Sequence, residues 1–324
     1  MPHAIRIHKF GGLEVMEWEE VSLGKPGPGE ALIRQTAVGL NFTDVYSRTG
    51  LYPGPLPMGL GAEAAGVIEA VGDGVADLKA GDRVAYGNAP IGAYAEARLI
   101  PAHRLVKLPD GISDVTAAAM MLKGLTVQYL IRQIHKVSRG ETILCHAAAG
   151  GVGLILCQWA KHLGATVIGT VGSDAKAELA KAHGCDHPIV YTREDFAARV
   201  AEITGGKKLP VVYDSIGKDT FVKSLDSLAP MGLMVSFGNA SGPVENVNLG
   251  ILAAKGSLFL TRPTLNTYAA KRESLVAMAQ DLFAVVQSGA VKIEVNQTMP
   301  LREAQRAHRD LEARRTTGST VFTV

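Results

Sequence analysis

The sequence predicts an α/β protein: a doubly wound parallel-sheet domain inserted into a mostly β domain. Three observations lead there. Residues 1–120 carry short apolar runs bounded by Gly and Pro. Strand and helix patterns then alternate from Glu141 to Arg262. The tail closes on a helix and one more strand.

The elements follow in order. "EALIRQTAVGL", "AAGVIEAVG" and "GDRVAYG" are short β-type runs between turn formers. From Val115, "VTAAAMMLKGLTVQYLIRQIH" has a long helical pattern, with a bend or break expected near Gly124. "TILCHAA" reads as a strand, "GGVGLILCQWAKHLG" as an amphipathic helix closed by Gly164, and "ATVIGTV" as a second strand. "KAELAKAHG" is a second helix closed by Gly184. "HPIVY", "LPVVYDSIG", "GLMVSFG" and "SLFLTRP" supply further strands, and Pro263 stops the last. The tail holds a helix from Leu301 and the strand "STVFTV".

Composition sets limits. The 324 residues suit two domains, and 47% hydrophobic with 20% charged residues is a globular composition. A net charge of +2, without basic-aromatic tracts, argues against a nucleic-acid partner. Cys145, Cys157 and Cys185 have no disulfide-framework spacing, which fits reduced thiols in the cytoplasm. "MPHAIRIHKF" does not read as a secretory signal, and no apolar run approaches the ~20 residues that span a bilayer.

Residues 145–153, CHAAAGGVG, lie between a strand and a helix. Set on G-x-G-x-x-G, they place Ala148, Gly150 and Gly153 at the three glycine positions. Gly150 lets the backbone approach a pyrophosphate, Gly153 lets the helix pack close to the sheet, and the helix N-terminus offers N–H groups to phosphate. The next strand ends in Thr170, Val171, Gly172 and Ser173, with no carboxylate where an NAD site carries one. Asp174 is a candidate helix cap. Ser173 and Lys176 suit a 2′-phosphate, and Tyr191 on the neighbouring strand is in reach of the same group. Cys145 and His146 point to opposite faces of a strand, and Cys185-x-His187 is a pair without partners, so no metal site is expected.

The chain resembles the zinc-free NADPH:quinone oxidoreductases related to zeta-crystallin, within the medium-chain dehydrogenase/reductase superfamily. The resemblance runs from end to end. It rests on "GLNFTDVYSRTGLYP", "GAEAAGVIEAVG", "LKGLTVQYLIR", "HAAAGGVGLILCQWAK", "GTVGSDAK", "VVYDSIG", "MVSFGNASG", "GSLFLTRPT" and "ARRTTGS". It implies a GroES-like catalytic domain at 1–123, an NADPH-binding Rossmann domain at 124–264, and a C-terminal return to the catalytic domain at 265–324. Asn41 stands where zinc-dependent members have Cys, and Ala62 where they have His. Glu63 is then expected to be a structural carboxylate paired with a neighbouring base.

The resemblance further implies roles. Asn41 and Tyr46 position the substrate beside the nicotinamide, and Asn41 also touches the cofactor. Thr126 follows the linking helix and contacts the cofactor. Gly150, Gly151 and Val152 cradle the pyrophosphate, and Ser173, Lys176 and Tyr191 grip the 2′-phosphate. Phe237 and Gly238 border the nicotinamide half, and Arg314 reaches in from the tail. The implied activity is NADPH-dependent quinone reduction without a metal, in a cytoplasmic homodimer paired through the edge strand of the cofactor domain. The alternatives are NADPH-dependent reduction of the C=C bond of α,β-unsaturated carbonyls and, in a different class, an NADPH-gated nucleic-acid-binding protein.

Overall fold

The computed structural model describes residues 1–88 and 90–324. Two units form: one from residues 1–125, 269–287 and 293–324, the other from 126–268 and 288–292.

The first unit opens with β1 (His3–Ile7), β2 (Glu17–Glu20) and β3 (Glu30–Gly39), then α1 (Phe42–Thr49). There follow β4 (Met58–Gly59), β5 (Glu63–Val71), β6 (Arg83–Gly87), β7 (Ala97–Pro101), β8 (Val106–Lys107) and α2 (Asp114–Tyr129). Alternation along β3 buries Ala31, Ile33 and Ala37 on one face. β1, β2 and β4 form a three-stranded sheet, while β3, β5, β6, β7 and β8 and two tail strands make a seven-stranded sheet, its path running from the tail strands through β3, β5 and β6 to β8, with β7 also paired to β3. Ile5, Ile33, Leu60, Ile68, Tyr86 and Tyr94 lie in its core.

Register sets up the later chemistry. Gly39 on β3, Glu63 on β5 and Gly87 on β6 are direct neighbours across three antiparallel strands. The glycines leave no side chains beside Glu63, and the α2 backbone occupies that space. A Cβ on Gly87 would lie 2.5 Å from the Met121 carbonyl carbon, and one on Gly39 would overlap Ala118 O. Residues Ala117–Met121 of α2 are fully buried. A helix apolar all round must be buried.

The expected bend near Gly124 is absent. The helix runs unbroken from Asp114 to Tyr129, and a single π-type turn follows at Leu130–Ile134. Gly124 serves packing instead: a Cβ there would meet Leu282 Cδ1 at 2.5 Å.

The second unit contains β9 (Thr142–Cys145), α3 (Gly151–His162), β10 (Thr166–Val171), α4 (Asp174–Ala182), β11 (His187–Val190) and α5 (Phe196–Ile203). It continues with β12 (Leu209–Asp214), α6 (Phe221–Asp226), β13 (Leu228–Ser236), α7 (Gly250–Ala254), β14 (Phe259–Thr261) and α8 (Leu265–Tyr268). Its sheet is parallel throughout, in the order β11-β10-β9-β12-β13-β14. The chain steps outward from β9 to β11, then crosses to β12 on the other side of β9. Such a switch opens a crevice at the strand C-termini, where doubly wound folds bind ligands. The left-handed Gly164 (φ 89°) and Gly184 (φ 89°) follow α3 and α4. The tail then gives α9 (Arg272–Gln287), β15 (Val295–Pro300), α10 (Ala304–Glu312) and β16 (Ser319–Thr323), with β16 pairing to β3. Among the described residues, no helix is long and apolar enough to cross a membrane.

Candidate active site

In the second unit, β9 delivers the chain into a turn at Ala147, which is left-handed (φ 53°). The Gly150 amide closes that turn on Ala147 O at 2.9 Å, and Gly150 caps α3. Leu154 N makes its i−4 bond to Gly150 O, so the Gly151, Val152 and Gly153 amides lie ahead of that bond, at the positive end of the helix. Gly153 must be bare, since a Cβ would overlap Ala147 O and come within 2.7 Å of Ala148 C. Ala148, at the first glycine position of the motif, is accommodated by Gly169, where a Cβ would sit 2.6 Å from the Ala148 methyl.

The end of β10 gathers three of the predicted residues. Ser173 caps α4, its Oγ accepting from the Lys176 amide at 3.4 Å. The cap is therefore Ser173 and not Asp174. Asp174 lies in the first turn and is engaged by Arg193, which holds its carboxyl below the usual range. Tyr191 follows β11, and a Cβ on Gly172 would lie 3.0 Å from its hydroxyl, so the tyrosine tip sits against the end of β10, next to Ser173.

Phe237 and Gly238 follow β13. Phe237 N donates to Asp214 O at 2.8 Å, and a Cβ on Gly238 would come 2.8 Å from Ser215 Cα. Asp214 went unnoticed in the sequence. Its buried carboxylate accepts from Ile216 N at 2.7 Å, Gly217 N at 3.1 Å and Thr220 Oγ1 at 2.7 Å, which shapes the loop after β12. His146 is buried between Thr170 Oγ1 at 2.8 Å and Ser224 Oγ at 2.9 Å, and burial lowers its pKa. Thr126 lies inside α2 rather than after a linking helix, because Gly124 does not break the helix.

In the first unit, Asn41 caps α1 and is buried. Its backbone N–H donates to Asp44 Oδ2 at 2.9 Å, and its Nδ2 donates to Glu63 Oε2 at 2.7 Å. Glu63 is fully buried. It also accepts from Lys123 Nζ at 2.8 Å through Oε2, and from the Leu122 amide at 2.8 Å through Oε1. The expected neighbouring base is thus Lys123. The sequence signal that could have found it is a lone lysine inside the apolar run AAAMMLKGL.

Asp44 also accepts from Tyr94 Oη at 2.9 Å, and burial raises its pKa to about 7. Tyr94 Oη contacts His308 Nε2 at 3.0 Å, and Arg48 meets His308 Nδ1 at 3.2 Å. Burial, aided by Arg48, lowers the His308 pKa to about 3, so the ring is neutral. Tyr46 is buried, its ring 5.2 Å from Tyr52 edge-on and 6.0 Å from Phe42. Arg314 is exposed in a left-handed turn (φ 57°) just after α10. Ala62 offers no ligand atom. Among the described residues, the one grouping of three possible metal ligands is His8, Glu17 and Glu19, around β1 and β2.

Two family models match, one described as an alcohol dehydrogenase GroES-like domain over residues 27–110 and one as a zinc-binding dehydrogenase over residues 151–278. A quinone oxidoreductase of Pseudomonas aeruginosa is 58% identical over 323 residues, covering 99% of both chains. The chain belongs to the quinone oxidoreductases of the medium-chain dehydrogenase/reductase superfamily. Among solved structures, Escherichia coli quinone oxidoreductase complexed with NADPH superimposes with a TM-score of 0.98. It is 51% identical, with 99% of this chain and 100% of that chain covered. A 2-haloacrylate reductase of a Burkholderia species is 49% identical over 330 residues, covering 99% of each.

Proposed function

We propose that this quinone oxidoreductase family member reduces quinones with NADPH and without a metal. The observation that carries the cofactor choice is the end of β10. There the Ser173 hydroxyl accepts from the Lys176 backbone amide, the Tyr191 hydroxyl lies against Gly172, and the carboxylate that follows, Asp174, is engaged by Arg193. An NAD site would leave a carboxylate open for the ribose hydroxyl. The turn 147–153 suits the pyrophosphate, since the amides of Gly151, Val152 and Gly153 lie ahead of the first i−4 bond, at the positive end of α3. Whole-length likeness to quinone oxidoreductases supports the acceptor class, which fold alone does not define.

NADPH, when bound, supplies a hydride. The α3 N-terminal amides of Gly151 and Val152 would hold the pyrophosphate beside Gly150, and Ser173, Lys176 and Tyr191 the 2′-phosphate. Thr126, Phe237, Gly238 and Arg314 would complete the cofactor contacts. Asn41 and Tyr46 would place the substrate. A reduced quinone becomes a phenolate, with a pKa near that of Tyr, about 10, so its charge is already delocalised. Such a substrate needs orientation and a polar donor more than a Lewis acid. At the position of the missing ligands, Ala62 is apolar, and Glu63 accepts from both the Asn41 amide and the Lys123 ammonium. A divalent cation there would face like charge.

The same reading includes a cytoplasmic homodimer. Phe259 is 61% exposed on β14, the edge strand of the parallel sheet, with Leu260 and Met231 also exposed. An apolar edge needs covering, and a second copy covers it symmetrically. Phe259→Glu should halve the mass seen by sedimentation.

The 2-haloacrylate reductase relative supports a second reading, reduction of a C=C bond conjugated to a carbonyl. A nucleic-acid role has only a net charge of +2 behind it. The test is NADPH oxidation with 1,4-benzoquinone, a 2-alkenal and a simple aldehyde side by side. Quinone should turn over fastest and the aldehyde hardly at all. Faster alkenal turnover would favour C=C reduction, and no turnover of any would favour a binding protein.

A further inference from the structure

We infer that Glu63 and Lys123 form a positioning pair for Asn41, so that a buried ion pair aims the side chain that meets the substrate. The inference rests on the proposed role of Asn41.

The geometry is built for this carboxylate. Gly39 and Gly87 flank Glu63 across the sheet, and their missing side chains let α2 descend onto the strands. That approach brings the Leu122 amide to Oε1 at 2.8 Å and Lys123 Nζ to Oε2 at 2.8 Å. Asn41 Nδ2 takes the same Oε2 at 2.7 Å. Three donors from two elements thus converge on one fully buried carboxylate.

A buried carboxylate without partners is strongly unfavourable, and a buried ion pair is seldom a gain over apolar packing. A structural role alone would be met as well by apolar residues between β5 and α2. What an ionised carboxylate adds is direction. An ionised Glu63 only accepts, so the Asn41 amide must present its nitrogen to it and its Oδ1 away. The short, charge-assisted bond resists the amide flip that a neutral partner would permit. Lys123 places the opposite charge 2.8 Å from that carboxylate in an apolar surround. Asn41 is fixed from a second side, since its backbone N–H is held by Asp44. The amide's remaining N–H and its Oδ1 then have a defined orientation at the head of α1.

The test uses Glu63→Gln, Lys123→Met, their double variant, and Asn41→Ala alone and with Glu63→Gln. It reads kcat and KM for NADPH with 1,4-benzoquinone, the thermal midpoint, and the Asn41 side-chain amide NMR signal. Glu63→Gln should lower kcat about tenfold, leave NADPH binding within about twofold, and shift the Asn41 amide signal. The double variant should regain the thermal midpoint, because both buried charges are gone, without regaining kcat. In the Asn41→Ala background, Glu63→Gln should have no further effect on kcat. Recovery of kcat together with stability would overturn the inference, as would equal losses in both backgrounds or an unmoved amide signal. A wild type inert to quinone would overturn the functional reading alone, since the amide signal still reports whether the pair holds Asn41.

Discussion

Arg48 of α1 and Glu312 at the end of α10 form a bidentate pair, with distances of 3.0 and 2.8 Å across 264 residues of sequence. The guanidinium is 2% exposed and also donates to Gly11 O, whereas Glu312 reaches the surface. The pair ties the helix headed by Asn41 to the turn that carries Arg314. Removing one partner of a buried charge costs more than the pair contributes. Arg48→Met should therefore lower stability by about 3 kcal/mol, leaving His308 and Glu312 without their donor. Glu312→Gln should cost about 1 kcal/mol, since water screens its exposed side. Thermal midpoints of the two variants check the order.

If Arg314 serves the cofactor as proposed, hydrogen exchange across residues 310–318 should slow when NADPH binds. The Glu312→Gln variant should show less protection, because the turn is then tethered on one side only. Unchanged exchange in the wild type would remove Arg314 from the proposed cofactor contacts.

The glycine pair beside Glu63 gives a steric prediction. A methyl at Gly87 would press on the α2 backbone at Met121 and Leu122, which has no flexible side chain to yield. Gly87→Ala should cost about 3 kcal/mol and lower the thermal midpoint by several degrees. Gly81, left-handed (φ 89°) but with open space around it, is the comparison. Gly81→Ala should cost about 1 kcal/mol from backbone strain alone.

Local patterns were legible in the sequence, and long-range packing was not. The strand–helix alternation around 142–190 was legible because periodicity and closing glycines are local, and Gly164 and Gly184 do follow their helices in left-handed conformation. The continuity of α2 was not legible, since Leu282, which packs on Gly124, lies far along the chain. Lys123 was missed for the same reason. Its partner is 60 residues away, and only the register of Gly39, Glu63 and Gly87 brings the helix down to it. The cap of α4 was a near miss: Ser173 and Asp174 both suit an N-cap, and Arg193 from beyond the next strand engages the aspartate.

Asp44 gives a pH prediction. Burial lifts its folded pKa to about 7 from 3.8. The folded state therefore keeps a proton that the unfolded chain releases above about pH 4. The stability this contributes is fully present below pH 3.8 and is lost as pH rises through 7. His308 acts with the opposite sign, because its depressed pKa makes folding less favourable as pH falls below 6.5 towards 3. The two are separated by comparing wild type with Asp44→Asn. The variant should gain in thermal midpoint relative to wild type between pH 4 and 7, and the difference should level off above pH 8. A constant difference across that range would mean that Asp44 titrates normally.

Cofactor discrimination tests the end of β10 most directly. A charge-assisted contact to phosphate contributes about 1.5–3 kcal/mol, which is about ten- to a hundredfold in affinity. Lys176→Ala should weaken NADPH by that factor and leave NADH almost unchanged, because NADH has no phosphate to lose. Ser173→Ala removes both an oxygen near the proposed phosphate and the Oγ that accepts the Lys176 amide at 3.4 Å. It should weaken NADPH less and also lower stability by about 1 kcal/mol through loss of the cap. Arg193→Ala points the other way. It releases Asp174, whose carboxylate becomes available to a ribose hydroxyl and repels a 2′-phosphate, so the NADPH-to-NADH preference should narrow from both sides. Dissociation constants for both cofactors in the four proteins decide the matter. Equal affinity for NADPH and NADH in the wild type would show that Ser173, Lys176 and Tyr191 do not read the phosphate.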